Sequence, residues 1–497
     1  MPTLTVDDTV VTDLFIGGEH RSTAASVPVA DPARGVTVGH AASATPQDVA
    51  DAVAAARAAF PAWAALSPAE RAALLEAAVV RDESDAQDDA AILSRENGKI
   101  LAECVRDTSM LERRTRQVTR LADLVDATRS LPSERSAPTN TEIGYQALGV
   151  VTIIVPFNWP VGILSAALPY ALLAGNTVVV KPPPTAPLAT TRIVQRMAAQ
   201  LPPGVLNVVT GADENMSALV SNTDVAKVCF TGSVGGGKRI MALAAESLTR
   251  VTLELGGNDA AILLDDAPLD DDHLDRLFGA VFASTGQICM NAKRIYVHRS
   301  RLDEVVQGLS DRLARTVLGD GLDPSTTMGP LHTARQKEFV EQLIAEARDA
   351  GAPVLEFGEL PDSPELREGH FIRPAIVVDP DPSLRVVHEE PFGPVIPVIA
   401  FDDDDTAVAF ANDSWAGLGG SVWSEDEDRA ARIGARLECG YVWINDHGAP
   451  RLDIRAPFGG MKQSGMGREQ GIEGIRAFQD TRAISRLDRD ALAAMSR

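Results

Sequence analysis

From Gly149 onward, short apolar runs alternate with amphipathic helical stretches, and no other feature restricts the fold of this chain as much. The pattern predicts strands over Val150 to Val155, Thr177 to Lys181, Leu206 to Val209, Lys227 to Phe230 and Val251 to Leu255, with helices between several of them. Repeated βαβ units build a parallel sheet covered by helices, and such sheets bind ligands where strands end and loops begin. A second series follows Gly257, with strands expected over Ala261 to Leu264, Arg294 to Val297, Ala375 to Val378, Ile396 to Ala400 and Tyr441 to Ile444. At 497 residues the chain has room for two such units. No long Pro/Gly/Ser linker parts them, so they are expected to pack closely and share a cleft.

Before this α/β region, Ala44 to Leu66 carries an Ala-rich helical pattern opened by Thr45 as N-cap and Pro46 in the first turn, with more helix to about Asp126. Val161 to Val180 lacks charge over a length that can span a bilayer. Pro169, Gly175 and Asn176 interrupt it, and it ends in the β-branched run Thr177 to Val180, so a buried helix followed by a buried strand is the reading. A net charge of −23 opposes nucleic acid binding, and Asp402 to Asp405 is read as a solvated stretch. Cys104, Cys229, Cys289 and Cys439 show no CxxC spacing, which argues against a disulfide framework or a cysteine zinc site. With no secretion signal in Met1 to Asp13, a cytoplasmic protein is expected.

Four places can carry chemistry. Cys289, in Gly286-Gln287-Ile288-Cys289, sits between a helical stretch and a strand, where a thiolate would be a strong nucleophile; most single cysteines are instead small buried hydrophobes. Glu254 ends a strand and precedes Gly256 and Gly257, so it is either a general base at a tight turn or an ordinary strand-end charge. Phe230-Thr231-Gly232-Ser233-Val234-Gly235-Gly236-Gly237 follows a strand and opens a helix whose N–H groups suit a pyrophosphate, although its spacing is not the usual dinucleotide fingerprint and a structural turn reads equally well. Asn158, in Pro156-Phe157-Asn158-Trp159-Pro160, is either an oxyanion donor or the closing residue of a proline-rich turn.

Taken in order, Asn158, Gly232 to Gly237, Glu254 and Cys289 resemble the aldehyde dehydrogenase superfamily. The resemblance extends from Phe15-Ile16-Gly17-Gly18-Glu19 through Glu390-Pro391-Phe392-Gly393-Pro394 to Pro457-Phe458-Gly459-Gly460-Met461-Lys462-Gln463-Ser464-Gly465. It implies an α/β fold with a parallel-sheet, Rossmann-like dinucleotide-binding domain (1–126 and 149–255), an α/β catalytic domain (256–459) and a small β oligomerisation arm (127–148 and 473–497). It also implies a homodimer or homotetramer. The implied chemistry is oxidation of an aldehyde, with Cys289 as nucleophile, Asn158 and the Cys289 N–H as oxyanion donors, and Glu254 as the base that activates water.

The same resemblance gives the cofactor as NAD or NADP, held by Pro156, Phe157, Lys181, Gly232, Ser233, Gly237, Leu255, Glu390 and Phe392, with no metal. Lys181 is implied at the adenosine ribose, and Glu390 and Phe392 at the nicotinamide. Pro184 departs from the pattern: many relatives place a ribose-binding glutamate there, and its loss removes a repulsion against a 2′-phosphate, which opens NADP use. Ile163, Ala166, Ile288, Met290 and Leu452 are expected to line an apolar tunnel for aromatic or medium-chain aliphatic aldehydes. Asp446 and His447, near the expected entrance, are read as a surface turn. The competing readings are a CoA-acylating semialdehyde dehydrogenase, which needs no water-activating base, a non-catalytic binding protein of the same fold, and a cofactor-free thioesterase.

Overall fold

The computed structural model describes residues 9–495 apart from 135 and 214–216, so residues 1–8 of the stretch read for a leader lie outside the described residues. Its first large sheet has eight strands in the order Gly465–Met466, Arg250–Glu254, Val225–Thr231, Val150–Ile154, Thr177–Lys181, Leu206–Val208, Leu14–Ile16 and Glu19–Arg21. The five middle strands are parallel, and antiparallel strands close both edges. Thr177–Lys181 is buried along its whole length, as a β-branched strand covered on both faces must be. The second sheet has seven strands in the order Val354–Glu356, Ala375–Val378, Val395–Phe401, Ala292–His298, Asp259–Leu263, Gly419–Trp423 and Tyr441–Ile444, parallel except for the first.

Strand positions agree with the sequence pattern to within one or two residues, and Val161 to Val180 is the expected buried helix and buried strand, with one difference at Pro169. It is the helix Pro160–Leu173 followed by the strand Thr177–Lys181, but Pro169 lies inside the helix without ending it. The helix is buried on nearly every side, so packing outweighs the backbone bond that proline removes. Among the described residues no helix is long and apolar enough to cross a membrane. Thr45 caps the helix Pro46–Ala65 in a reciprocal box with Asp48, with Pro46 in its first turn.

Asp402 to Asp405 is largely exposed to solvent, as expected, and is also ordered. Asp403 caps the helix Asp404–Asn412, while Asp402, Asp404 and Asp405 pair with Arg299, Arg429 and Arg436. The run is a helix start tied to three arginines, which relieves the repulsion among its own charges.

Residues 127–148 and the C-terminus meet in a third sheet, where Gln479–Leu487 pairs antiparallel with Thr139–Ala147 and this with Arg129–Leu131. Exposed Leu131, Ile484 and Leu487 stand on these strands. Asn176 fixes the base of the arm to the first sheet: its Oδ1 accepts from the Gly149 N–H at 3.0 Å, and its Nδ2 donates to the Ala171 and Phe478 carbonyls at 3.0 Å each. Segment 460–472, outside all the sequence-based domain bounds, supplies the edge strand Gly465–Met466 to the first sheet.

Asn176→Ala strips buried backbone groups of their partners and is expected to cost about 3 kcal/mol. Urea unfolding checks this: the midpoint of the variant falls, whereas an unchanged midpoint means that the amide holds nothing in place.

Candidate active site

Cys289 follows a backbone that few sequences tolerate. After the helix Asp271–Phe282 the chain passes through Ser284 (φ 53°), Thr285 (φ 57°) and Gly286 (φ 74°), all in the left-handed region. The first two cost roughly 1–2 kcal/mol each and persist because neighbours hold them. The Ser284 N–H donates to Glu103 Oε1 at 2.7 Å, its Oγ accepts from Trp159 Nε1 at 2.9 Å, and Thr285 Oγ1 donates to the Gly329 carbonyl at 3.0 Å. Gly286 is required by space as well, since a Cβ there would stand 2.2 Å from the Gly393 carbonyl oxygen. Sequence-distant elements thus converge on the turn that presents the thiol.

The two domains meet at this turn. Asn158, only 4% exposed, donates from Nδ2 to the Gln287 carbonyl at 2.8 Å, two residues before Cys289, and its Oδ1 is buried with no partner among the described residues. The second N–H of that amide is free of this bond, so the group can donate to a further acceptor. From the same first sheet comes the turn after Glu254: a Cβ on Gly257 would stand 2.4 Å from the Cys289 carbonyl oxygen. The glycine pair is therefore a close-approach device that lays the Glu254 strand end against the cysteine segment.

Both Glu254 carboxylate oxygens are buried without a hydrogen-bond partner among the described residues, and Oε1 faces Gly459, where a Cβ would stand 2.9 Å away. Burial drives its pKa well above the usual carboxylate range; the charge of Glu469 raises it further and Arg468 partly offsets both. Glu469 is itself raised to about 7 by burial, against the pull of Arg114 and Lys227. Glu390 is also raised to about 7 by burial, opposed chiefly by Lys293; its Oε1 accepts from the Gly257 N–H at 3.2 Å. Burial pushes the Cys289 thiol up to about 12, with Glu390, Asp259 and Glu254 adding to the rise and Lys293 opposing it. Lys293 Nζ donates to the Gly286 carbonyl at 2.7 Å and lies 5.4 Å from the Phe392 ring centroid.

The other sequence-derived residues fall in three groups. Phe157 stacks on His332 with centroids 4.1 Å apart and meets Phe392 edge-on at 6.0 Å, beside half-buried Pro156. Gly232 and Ser233 precede the helix Val234–Ala245, whose cap is Ser233 Oγ accepting from the Gly236 N–H at 3.1 Å; Gly237 packs on Leu255, where a Cβ would come within 2.7 Å of Leu255 Cδ1. Lys181 stands apart from these, buried and ion-paired with exposed Asp213. Of the expected tunnel residues, Ala166 and Ile288 are buried, and Ile163, Met290 and Leu452 are half-buried.

His447 is not on a surface turn. It is 2% exposed, with Nε2 donating to the Met290 carbonyl at 3.1 Å and Nδ1 accepting from Ser421 Oγ at 2.8 Å. The carbonyl can only accept, which fixes the tautomer. Its ring stacks on Trp443 with centroids 4.9 Å apart. Sequence reasoning missed Glu469, Lys293, His332 and Asp213. Lys293 left a partial signal: with Arg294 it puts two charges at the head of a strand that continues Ile295, Tyr296, Val297.

Comparison with known proteins fits this geometry. The sequence profile of the aldehyde dehydrogenase family matches residues 19–484. This chain belongs to the aldehyde dehydrogenase family. It is 35% identical over 464 residues to a betaine aldehyde dehydrogenase of Rhizobium leguminosarum bv. trifolii, covering 91% of this chain and 92% of the relative. A second betaine aldehyde dehydrogenase, from Brucella anthropi, is 35% identical over 485 residues, covering 95% and 96%. The crystal structure of betaine aldehyde dehydrogenase from Staphylococcus aureus in complex with NAD+ superposes with a TM-score of 0.90 at 32% identity, covering 96% of this chain and 95% of that one.

The carboxylate pair makes a directional prediction for this aldehyde dehydrogenase. Glu469→Gln removes a like charge from beside Glu254, so the Glu254 pKa falls and the acid limb of the rate–pH profile moves to lower pH. An acid limb that stays in place means that the two groups do not sense each other. For Cys289, a thiol raised to about 12 gains thiolate about ten-fold per pH unit throughout the accessible range. Iodoacetamide labelling, read on the Cys289 peptide by mass spectrometry, is therefore expected to climb without a plateau up to about pH 10 in the cofactor-free protein.

Proposed function

We propose that this protein oxidises an aldehyde to the carboxylic acid with NAD+ or NADP+ through a thioester on Cys289. The observation that carries the reading is the meeting of a nucleophile, a neutral hydrogen-bond donor and a water-activating base at one interdomain turn, held by the Asn158 bond to Gln287 and the contact of Gly257 with Cys289.

The residues present suit a dinucleotide. The helix Val234–Ala245 has no acid in its first turn, and a Cβ on Gly235 would have no heavy atom within 4 Å, so a pyrophosphate can approach the backbone there. Gly232, Ser233 and Gly237 would hold that group, Lys181 the adenosine ribose, and Pro156, Phe157, Leu255, Glu390 and Phe392 the nicotinamide side. When bound, the cofactor supplies a hydride acceptor, which turns the thiohemiacetal into a thioester.

Attack begins when the Cys289 sulfur gives its proton to solvent and bonds to the aldehyde carbon. The carbonyl oxygen becomes an oxyanion, which Asn158 Nδ2 and the Cys289 N–H stabilise by donation. Ionised Glu254 then takes a proton from water as the oxygen adds to the thioester carbon. The C–S bond breaks, and the thiol and the acid are released. Only the ionised form of Glu254 serves, so its raised pKa makes hydrolysis faster as pH rises. A base in this position is what a CoA-acylating enzyme would lack a use for, and it favours water as the acyl acceptor.

Ala166, Ile288, Ile163, Met290 and Leu452 favour an aromatic or medium-chain aliphatic substrate. A second reading, a quaternary ammonium aldehyde, draws on the relatives named for betaine aldehyde and on the half-buried ring of Tyr441 as a cation–π partner. The exposed apolar side chains of the β arm support a homodimer or homotetramer.

An aldehyde panel with NAD+ and NADP+, with and without CoA, tests these points. The acid is the expected product without CoA, benzaldehyde and hexanal are expected to outrank betaine aldehyde, and Cys289→Ala abolishes turnover. Glu254→Gln is expected to give one burst of reduced cofactor and then stall as acyl-enzyme; steady hydrolysis in that variant removes Glu254 from the role of base.

A further inference from the structure

Two observations at the far end of the first sheet bear on which cofactor this dehydrogenase takes. Thr177–Lys181 and Leu206–Val208 are adjacent parallel strands in register at Val180 and Val208, so both chains leave the sheet at the same edge. The loop that follows is anchored: the Val209 N–H donates to the Val180 carbonyl at 3.0 Å, the Ala44 N–H donates to the Thr210 carbonyl at 2.8 Å, and Thr210 Oγ1 donates to the Ala42 carbonyl. From this tethered turn Asp213 reaches back over the neighbouring strand end and pairs with the Lys181 ammonium. The lysine side chain is 4% exposed and the aspartate side chain 79%, so the carboxylate is the solvent-facing partner.

A carboxylate beyond the end of a central parallel strand has a defined use toward a dinucleotide. It accepts hydrogen bonds from the ribose 2′- and 3′-hydroxyls, and it opposes the dianion of a 2′-phosphate. The Pro184 departure removes a carboxylate from this neighbourhood and opens NADP use. We propose that Asp213 takes over that role and selects NAD+ over NADP+, with Lys181 positioning it. Lys181 donates one of its three N–H groups to Asp213 and has the others for the ribose, while the carboxylate keeps acceptor capacity beyond the ion pair. The pair presents donor and acceptor side by side, as a vicinal diol requires. The inference rests on the dehydrogenase reading and adds to it the identity of the discriminating side chain.

Calorimetric titration of the full chain with NAD+ and with NADP+ tests this separately from turnover. The unaltered protein is expected to bind NAD+ tighter than NADP+ by about ten-fold or more, the scale set by one like-charge contact near a protein surface. Asp213→Asn, which keeps size and polarity but removes the charge, is expected to narrow that ratio to about three-fold or less, chiefly by tightening NADP+. Asp213→Glu restores the charge and with it the discrimination. An Asn variant with an unchanged ratio, or an unaltered protein that prefers NADP+, overturns the proposal while leaving the dehydrogenase reading intact. Failure of both nucleotides to bind the unaltered protein overturns both.

Discussion

The site depends on keeping carboxylates dry around one sulfur. A carboxylate taken out of water resists ionisation, as Glu254 and Glu390 do beside Cys289 and as Glu469 does beside Glu254. Their crowding explains the other features of the region. Lys293 is buried and offsets the charge of Glu390, and Cys289 resists ionisation chiefly because it is buried, with Glu390, Asp259 and Glu254 opposing a thiolate further. The glycines at 256, 257 and 459 are needed because any larger residue would displace a carboxylate or the cysteine backbone. Each of these acids therefore gives up its proton less readily than it would in water.

The second constraint is the left-handed passage before Cys289. Its two non-glycine residues are unfavourable in isolation, so the geometry of the nucleophile is set by Glu103, Trp159 and Gly329, each from a different part of the chain. Asn158 joins the same turn from the nucleotide side. Alignment of Asn158, Cys289 and Glu254 is thus a property of how the two sheets are docked, and small changes at that docking surface reach all three.

How much of this is legible in the residues depends on how directly each one reports its surroundings. The β-branched run Thr177 to Val180 marks a buried strand correctly, because such residues suit a pleated surface covered on both faces. Pro169 misleads because a helix buried all round tolerates a missing N–H that an exposed one would not. His447 looks like part of a surface turn among Asn445, Asp446 and Gly448; only Ser421 and the Met290 carbonyl, distant in sequence, satisfy its ring nitrogens and let it be buried. Glu469 is illegible for the same reason, since Arg468-Glu469 reads as an ordinary exposed pair and nothing local announces that the segment folds back beside Glu254. Cys289, Glu254 and Asn158 are individually ambiguous, and their order along the chain carries the reading.

That fold-back has a consequence for how the protein is made. Gly465–Met466 pairs with Leu253 and Glu254, and the same returning segment brings Gly459 and Glu469 to the Glu254 carboxylate. During synthesis the first sheet therefore stays short of an edge strand, with Glu254 outside its final environment, until the ribosome has passed residue 466 and the tunnel has released it. Contacts this distant in sequence form late. A nascent chain that already displays most of both large sheets still lacks this edge, and any truncation upstream of that point yields a protein with an open sheet edge and Glu254 outside its final environment.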